Sequence, residues 1–179
     1  MYKVYPKIIL ACLLLVMTGT VYSQRVTQTI NDGWKFSLFE GDASTADFDI
    51  SGWTDVSIPH TWNAKDADDE IPGYFRGKGW YRKVVAVEEL IPEQRVYLSF
   101  EGANQETNVF VNGTFVGNHK GGYSAFTFDV TDYVHAGRNL IAVSVDNSHN
   151  PDIAPLSADF TFFGGIYRDV YLVYTSPVQ

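Results

Sequence analysis

Cysteine is almost missing from this chain of 179 residues: one is present, Cys12, inside an N-terminal apolar stretch. A disulfide framework, a thiol nucleophile and a cysteine-ligated metal site are therefore not expected. Basic residues are scarce as well, 13 against 21 acidic, for a net charge of −8. That balance lacks the basic face that nucleic acid or an anionic membrane requires. No apolar run is long enough to cross a bilayer. The run from Ile8 to Met17 falls well short of the roughly 20 residues that a spanning helix needs. No stretch of a dozen residues shows a capped 3.6-residue apolar period. There is also no internal repeat and no low-complexity linker.

What is present begins with an export signal. Lys3 and Lys7 form a positive start, the Ile8 to Met17 run follows, and Val21-Tyr-Ser23 offers small residues before Gln24. A lipoprotein signal at Ile9-Leu-Ala-Cys12 fails, because too few apolar residues separate Lys7 from the cysteine. Cleavage after Ser23 is expected, with residues 1–23 as the signal peptide and residues 24–179 exported to the periplasm or the medium. Cys12 leaves with the signal. So do Lys3 and Lys7, and 13 less 2 leaves 11 basic against 21 acidic residues, or −10. With twelve Phe and roughly 156 residues, the mature chain has enough apolar mass for one core.

The remaining sequence speaks for strands. Trp34–Leu38, Arg95–Phe100 and Asn139–Val145 alternate apolar and polar residues, and Tyr81–Val87 and Asp169–Tyr174 are β-branched and aromatic. Asn112-Gly113, between Thr107–Val111 and Thr114–Gly117, predicts a hairpin, since both turn residues tolerate positive φ. The same Asn112-Gly-Thr114 matches a glycosylation sequon, which the turn explains without sugar attachment. Eight or nine short strands without helices predict an all-β fold, a β-sandwich of the jelly-roll kind. Residues 64–78 are polar and turn-rich and are expected to form a long loop. Its Asp66, Asp68 and Asp69 do not follow the spacing of a calcium loop, so no metal site is assigned.

One segment stands out for function: Pro155-Leu-Ser-Ala-Asp159-Phe-Thr-Phe-Phe-Gly164-Gly165-Ile166-Tyr167-Arg168-Asp169. A lone carboxylate precedes a Gly-Gly turn in an apolar and aromatic setting, where an unpaired charge is costly. Glycines permit a tight turn or a close backbone approach, which predicts Asp159 at the rim of a pocket. Arg168 is expected to pair with a carboxylate inside the fold. Trp34, Trp62, Trp80 and Tyr81 are expected to fill the sandwich, and His60 and Asn63 to order the turn after Pro59.

In order along the chain stand Asn31-Asp-Gly-Trp34-Lys-Phe, Trp53-Thr-Asp-Val-Ser-Ile-Pro59-His60-Thr-Trp62-Asn63 and Gly79-Trp80-Tyr81-Arg82-Lys83. Phe100-Glu-Gly102, Val109-Phe-Val-Asn112-Gly113, Gly117-Asn-His119-Lys-Gly121-Gly122-Tyr123 and Val145-Asp-Asn147 follow. Together with the Asp159 segment, this series resembles the N-terminal sugar-binding domain of glycoside hydrolase family 2, the family of β-galactosidases, β-mannosidases and β-glucuronidases. The resemblance implies that Asp159 reaches into the active site of a separate catalytic domain and helps hold the terminal sugar. It gives Asn63 and His60 as weaker substrate-binding candidates, and it calls for no cofactor.

The family's catalytic pair is two glutamates on a (β/α)₈ barrel that follows an immunoglobulin-like domain. The sequence ends at Gln179, where the family passes to that second domain, so no catalytic residue can be transferred. Glu88-Glu89 suits a solvated turn, and the four histidines form no Ser/His/Asp arrangement. The chain alone is expected to be inactive. The expected partners are a β-galactoside-type carbohydrate and, in a full-length relative, the barrel; nucleic acid and, after signal removal, membrane are not expected. A free-standing carbohydrate-binding module and a docking domain for a separately encoded catalytic half are the alternatives.

Overall fold

Residues 25–65 and 73–176 are described by a computed structural model. The predicted signal peptide and the acidic run Asp66 to Glu70 lie outside the described residues. Ten strands follow one another: β1 (Arg25–Thr29), β2 (Trp34–Leu38), β3 (Thr54–Val56), β4 (Lys78–Val87), β5 (Arg95–Phe100), β6 (Glu106–Val111), β7 (Thr114–Lys120), β8 (Phe126–Asp129), β9 (Gly137–Asp146) and β10 (Val170–Thr175). They form a four-stranded sheet, in the order β1-β10-β5-β8, and a six-stranded sheet, in the order β3-β2-β4-β9-β6-β7. Every pairing is antiparallel. The fold is the expected β-sandwich, with one turn of 3-10 helix at Thr131–Tyr133 that the sequence did not announce.

Alternation decides which face of each strand is buried. In β5, Val96, Leu98 and Phe100 are fully buried; so are Val109 and Val111 in β6, and Ile141, Val143 and Val145 in β9. These inward residues meet Trp34, Tyr81, Ile166 and Leu172 in a single core between the sheets. Trp34 brings a polar atom into that core, and its Nε1–H donates to Ile30 O at 2.7 Å, so the indole is buried without an unpaired donor. Strands β4 and β9 pair along their whole length, from Lys78 opposite Asp146 to Val87 opposite Gly137. They form the spine of the larger sheet.

A second, smaller cluster lies on the outer face of that sheet. Ala43, Trp80 and Ala142 pack there with Phe48, Trp53 and Phe110, and Trp80 Nε1–H donates to Gly41 O at 3.0 Å. The Asn112-Gly113 hairpin is as predicted, with φ of 51° and 82°. Its Asn112 amide donates to Tyr133 O and Asn139 Oδ1 and accepts from Leu140 N–H, all at 2.9 Å. Those bonds explain the asparagine as a structural residue.

Candidate functional site

At one end of the sandwich, the segment carrying Asp159 is anchored by three asparagines on other parts of the chain. Asn63, Asn104 and Asn147 are each no more than 2 % exposed. Asn63 Oδ1 accepts from Gly164 N–H at 2.6 Å, and its Nδ2 donates to Phe75 O at 2.8 Å. Asn104 Nδ2 donates to Phe163 O at 2.9 Å. Its backbone exchanges hydrogen bonds with Gly165, 3.0 Å in one direction and 3.3 Å in the other. Asn147 Nδ2 donates to Phe162 O at 3.1 Å, and Oδ1 accepts from Gly77 N–H at 2.9 Å. A short amide side chain has two donors and an acceptor, so each can satisfy loop backbone that no strand partner reaches.

Both glycines of the turn are dictated by neighbours. A Cβ on Gly164 would lie 2.1 Å from Trp62 Cζ2, and one on Gly165 2.6 Å from both His60 O and the Tyr81 hydroxyl. Gly165 also has a φ of +120°. Only glycine allows this approach of the loop to the Trp62 and Tyr81 rings. Tyr167 Oη donates to Gly122 O and ties the far side of the loop to the bend after β7.

His60 stands behind this turn. Its backbone N–H donates to Ile166 O at 2.8 Å, and its Nδ1 lies 2.8 Å from the Tyr81 hydroxyl. Burial pushes the imidazole pKa below its ordinary value, which keeps the ring neutral. Burial likewise raises the Tyr81 phenol far above its ordinary range. His60 and Asn63 thus hold the loop from behind, as ordering residues of the Pro59 turn.

Asp159 is exposed, and so are Leu156, Phe160, Phe163 and Tyr123 around the same end. The carboxylate therefore stands in water beside exposed rings, not in the costly apolar setting that its neighbours in sequence suggest. Tyr123 and Phe160 meet edge to face with centroids 6.4 Å apart, and Phe160 leans on the buried Phe162 at 5.3 Å. The Arg76 guanidinium lies 5.0 Å from the Tyr74 ring and 5.0 Å from the Phe162 ring. Its Nε–H donates to the Tyr74 hydroxyl at 2.9 Å. Among the described residues, this end of the sandwich offers the Asp159 carboxylate, the Arg76 guanidinium and several ring faces, a set that suits polyhydroxylated ligands.

The sequence reading missed Arg76, Asn104 and the anchoring role of Asn147; the adjacent Tyr74-Phe75 pair was the available signal for Arg76. Arg168 is not a buried ion-pair partner: it is exposed, with its guanidinium 5.9 Å from the Tyr167 ring, and it forms no ion pair among the described residues. Among the described residues no group of three His, Cys, Asp or Glu side chains is placed to hold a metal ion.

Comparison with known proteins accords with this geometry. Residues 27–177 match the model of the glycosyl hydrolases family 2, sugar binding domain. A β-glucuronidase of Bacteroides fragilis is 38% identical over 166 residues, which cover 90% of this chain and 22% of that protein. A β-galactosidase of Thermoanaerobacter pseudethanolicus is 40% identical over 157 residues, covering 82% of this chain and 19% of its own. The solved structure of Bacteroides uniformis β-glucuronidase 2 superposes with a TM-score of 0.78 at 46% identity, covering 86% of this chain and 18% of that one. The chain thus spans about a fifth of the length of the curated relatives it matches. By its sequence and its fold, this chain belongs to glycoside hydrolase family 2, as the family's N-terminal sugar-binding domain.

Proposed function

We propose that this chain is the substrate-binding front domain of an exported β-glycosidase, and that Asp159 accepts hydrogen bonds from the hydroxyls of the terminal sugar. The observation that carries the reading is the anchoring of the Phe162–Gly165 turn by three buried asparagines, with the exposed Asp159 just before it. A carboxylate accepts from a pair of vicinal hydroxyls without needing to titrate. In this reading His60 and Asn63 are positioning residues. Retaining hydrolysis needs two carboxyl groups about 5 Å apart; these are assigned to a catalytic barrel that closes over the rim. The first 23 residues support export.

A terminal β-galactoside is the preferred substrate class, since Asp159 suits neutral hydroxyls. A β-glucuronide is the second reading, and two observations favour it: the 46% identity to a β-glucuronidase, and the Arg76 guanidinium at the same end, which suits a uronate carboxylate. Calorimetric titration of the chain with galactose, glucuronic acid and lactose tests the incompleteness of the site. No binding tighter than about 1 mM is expected, roughly −4 kcal/mol. A tighter Kd for any of these sugars would mean a self-sufficient binding module and would overturn the reading.

A further inference from the structure

The outer face of the six-stranded sheet carries a depression remote in sequence from the Asp159 segment. It has a volume of about 320 Å³, its lining includes Lys35, Arg82, Lys83, Val84, Arg138 and Leu140, and no lining residue is acidic. In a chain with a net charge of −8, three cationic side chains on that face, Lys35, Arg82 and Arg138, are a local inversion of sign. The register accounts for the gathering. Lys35 stands opposite Arg82 across β2 and β4. Val84 stands opposite Leu140 across β4 and β9, and Arg138 is two residues from Leu140 on the same face.

Like charges placed directly opposite one another on a sheet destabilise it. Lys35 is relieved by Asp55 at 2.7 Å, at a position where the Asp55 side chain is 77% exposed. Arg82 has no comparable relief. It is 3% exposed, and its guanidinium carbon is 5.9 Å from the Phe48 ring. Its Nη2 makes one long bond, 3.5 Å to Ala46 O, and its Nε and Nη1 have no hydrogen-bond partner. Asp47 is near enough to favour the charged form, yet it makes no ion pair with Arg82 among the described residues. Arg138 is exposed and also forms no ion pair among them. Lys83 alternates to the opposite face of β4 from Arg82 and Val84, and there its Nζ donates to Asp32 O.

A buried guanidinium with two unmatched N–H groups is costly unless an acceptor arrives. We infer that this depression is an oxyanion site, in which a carboxylate or sulfate group is held between Arg82 and Arg138. A guanidinium is suited to a planar or tetrahedral oxyanion because its donors are set in a fixed fork. Val84 and Leu140 give the hollow an apolar floor, which suits the ring of a sugar that bears the anionic group. The site does not depend on the role of Asp159. Its ligand class is an oxyanion, whose source is either an acidic substituent on a glycan or a free inorganic ion.

The test is an NMR titration of the ¹⁵N-labelled chain at constant ionic strength, with sodium sulfate, glucuronic acid and a sulfated disaccharide as probes and lactose as the neutral control. Saturable shifts confined to amides around Lys35, Arg82 to Val84 and Arg138 to Leu140 are expected, with none from lactose. Loss of one charge-assisted contact in Arg138→Gln should weaken binding by about tenfold. Arg138 is exposed, so this variant keeps the fold, unlike a change at the buried Arg82, and Lys120→Gln, on the far edge strand, should leave the titration unchanged. Tighter binding of the sugar-borne group than of sulfate assigns the site to a glycan; equal binding assigns it to the free oxyanion. Non-saturating shifts with every probe, or an unaltered titration of Arg138→Gln, would overturn the inference.

Discussion

Asn147→Ala is the perturbation that most directly probes how the rim is held. Asn147 is 1% exposed. Its amide serves Gly77 N–H at 2.9 Å, Phe162 O at 3.1 Å, Asn63 Oδ1 at 3.3 Å and Phe75 O at 3.4 Å. Phe75 O keeps its bond from Asn63, and Asn63 Oδ1 keeps its bond from Gly164. Truncation therefore deprives Gly77 N–H and Phe162 O of this partner in a place that water does not freely enter. At about 1–3 kcal/mol for each of the two buried groups left unmatched, the expected loss is about 2–6 kcal/mol. Against a usual net stability of about 5–15 kcal/mol, that is a large fraction. Urea unfolding followed by tryptophan fluorescence reads it as a lower midpoint at unchanged slope. Asn118, an exposed asparagine on β7, supplies the control, since Asn118→Ala should stay within about 0.5 kcal/mol. A loss in Asn147→Ala no larger than that of the control would refute the anchoring argument.

Gly164→Ala places a methyl 2.1 Å from Trp62 Cζ2 and should cost about 1–3 kcal/mol by overpacking. Gly52→Ala, with nothing within 4 Å of the added atom, should be near neutral in the same urea assay. Stability should also depend on pH through His60. Burial lowers its folded-state pKa below the ordinary 6.5, so the unfolded chain takes up the proton first. This contribution is complete above the ordinary value and is lost as the pH falls through and below it. The urea midpoint should therefore drop between about pH 7 and pH 5, with a smaller drop in His60→Asn. A flat midpoint across that range would contradict the burial argument.

The strands that bury one face were legible, because alternation is a direct record of burial. Trp34–Leu38 and Arg95–Phe100 coincide with β2 and β5, and the other predicted runs fall within a few residues of β4, β6, β7, β9 and β10. Three strands were not foreseen. All five residues of β1 are exposed, and it is held by pairing with β10 alone, so no apolar pattern marks it. β3 has three residues, too few for a period to register. β8 lies at the edge of the smaller sheet and spans only Phe126–Asp129.

At the candidate site, the Gly-Gly turn and Asp159 were visible because glycine pairs and isolated carboxylates are local signals. The anchoring asparagines were not, since a buried Asn that bonds distant backbone looks like any turn Asn in one dimension. Asn63 and Gly164 are 101 residues apart along the chain. The basic hollow was hidden for a similar reason: Lys35, Arg82 and Arg138 come together only through strand register.

The most direct test of the central claim is kinetic. Residues 25–176 would replace the matching domain of Bacteroides uniformis β-glucuronidase 2, and the chimera would be compared with its Asp159→Ala variant on aryl β-glucuronide and aryl β-galactoside. Loss of a carboxylate that holds sugar hydroxyls should lower kcat/KM by about tenfold or more on the substrate that the chimera hydrolyses, with the urea midpoint unchanged because Asp159 is exposed. An equal kcat/KM for the two proteins would contradict the account.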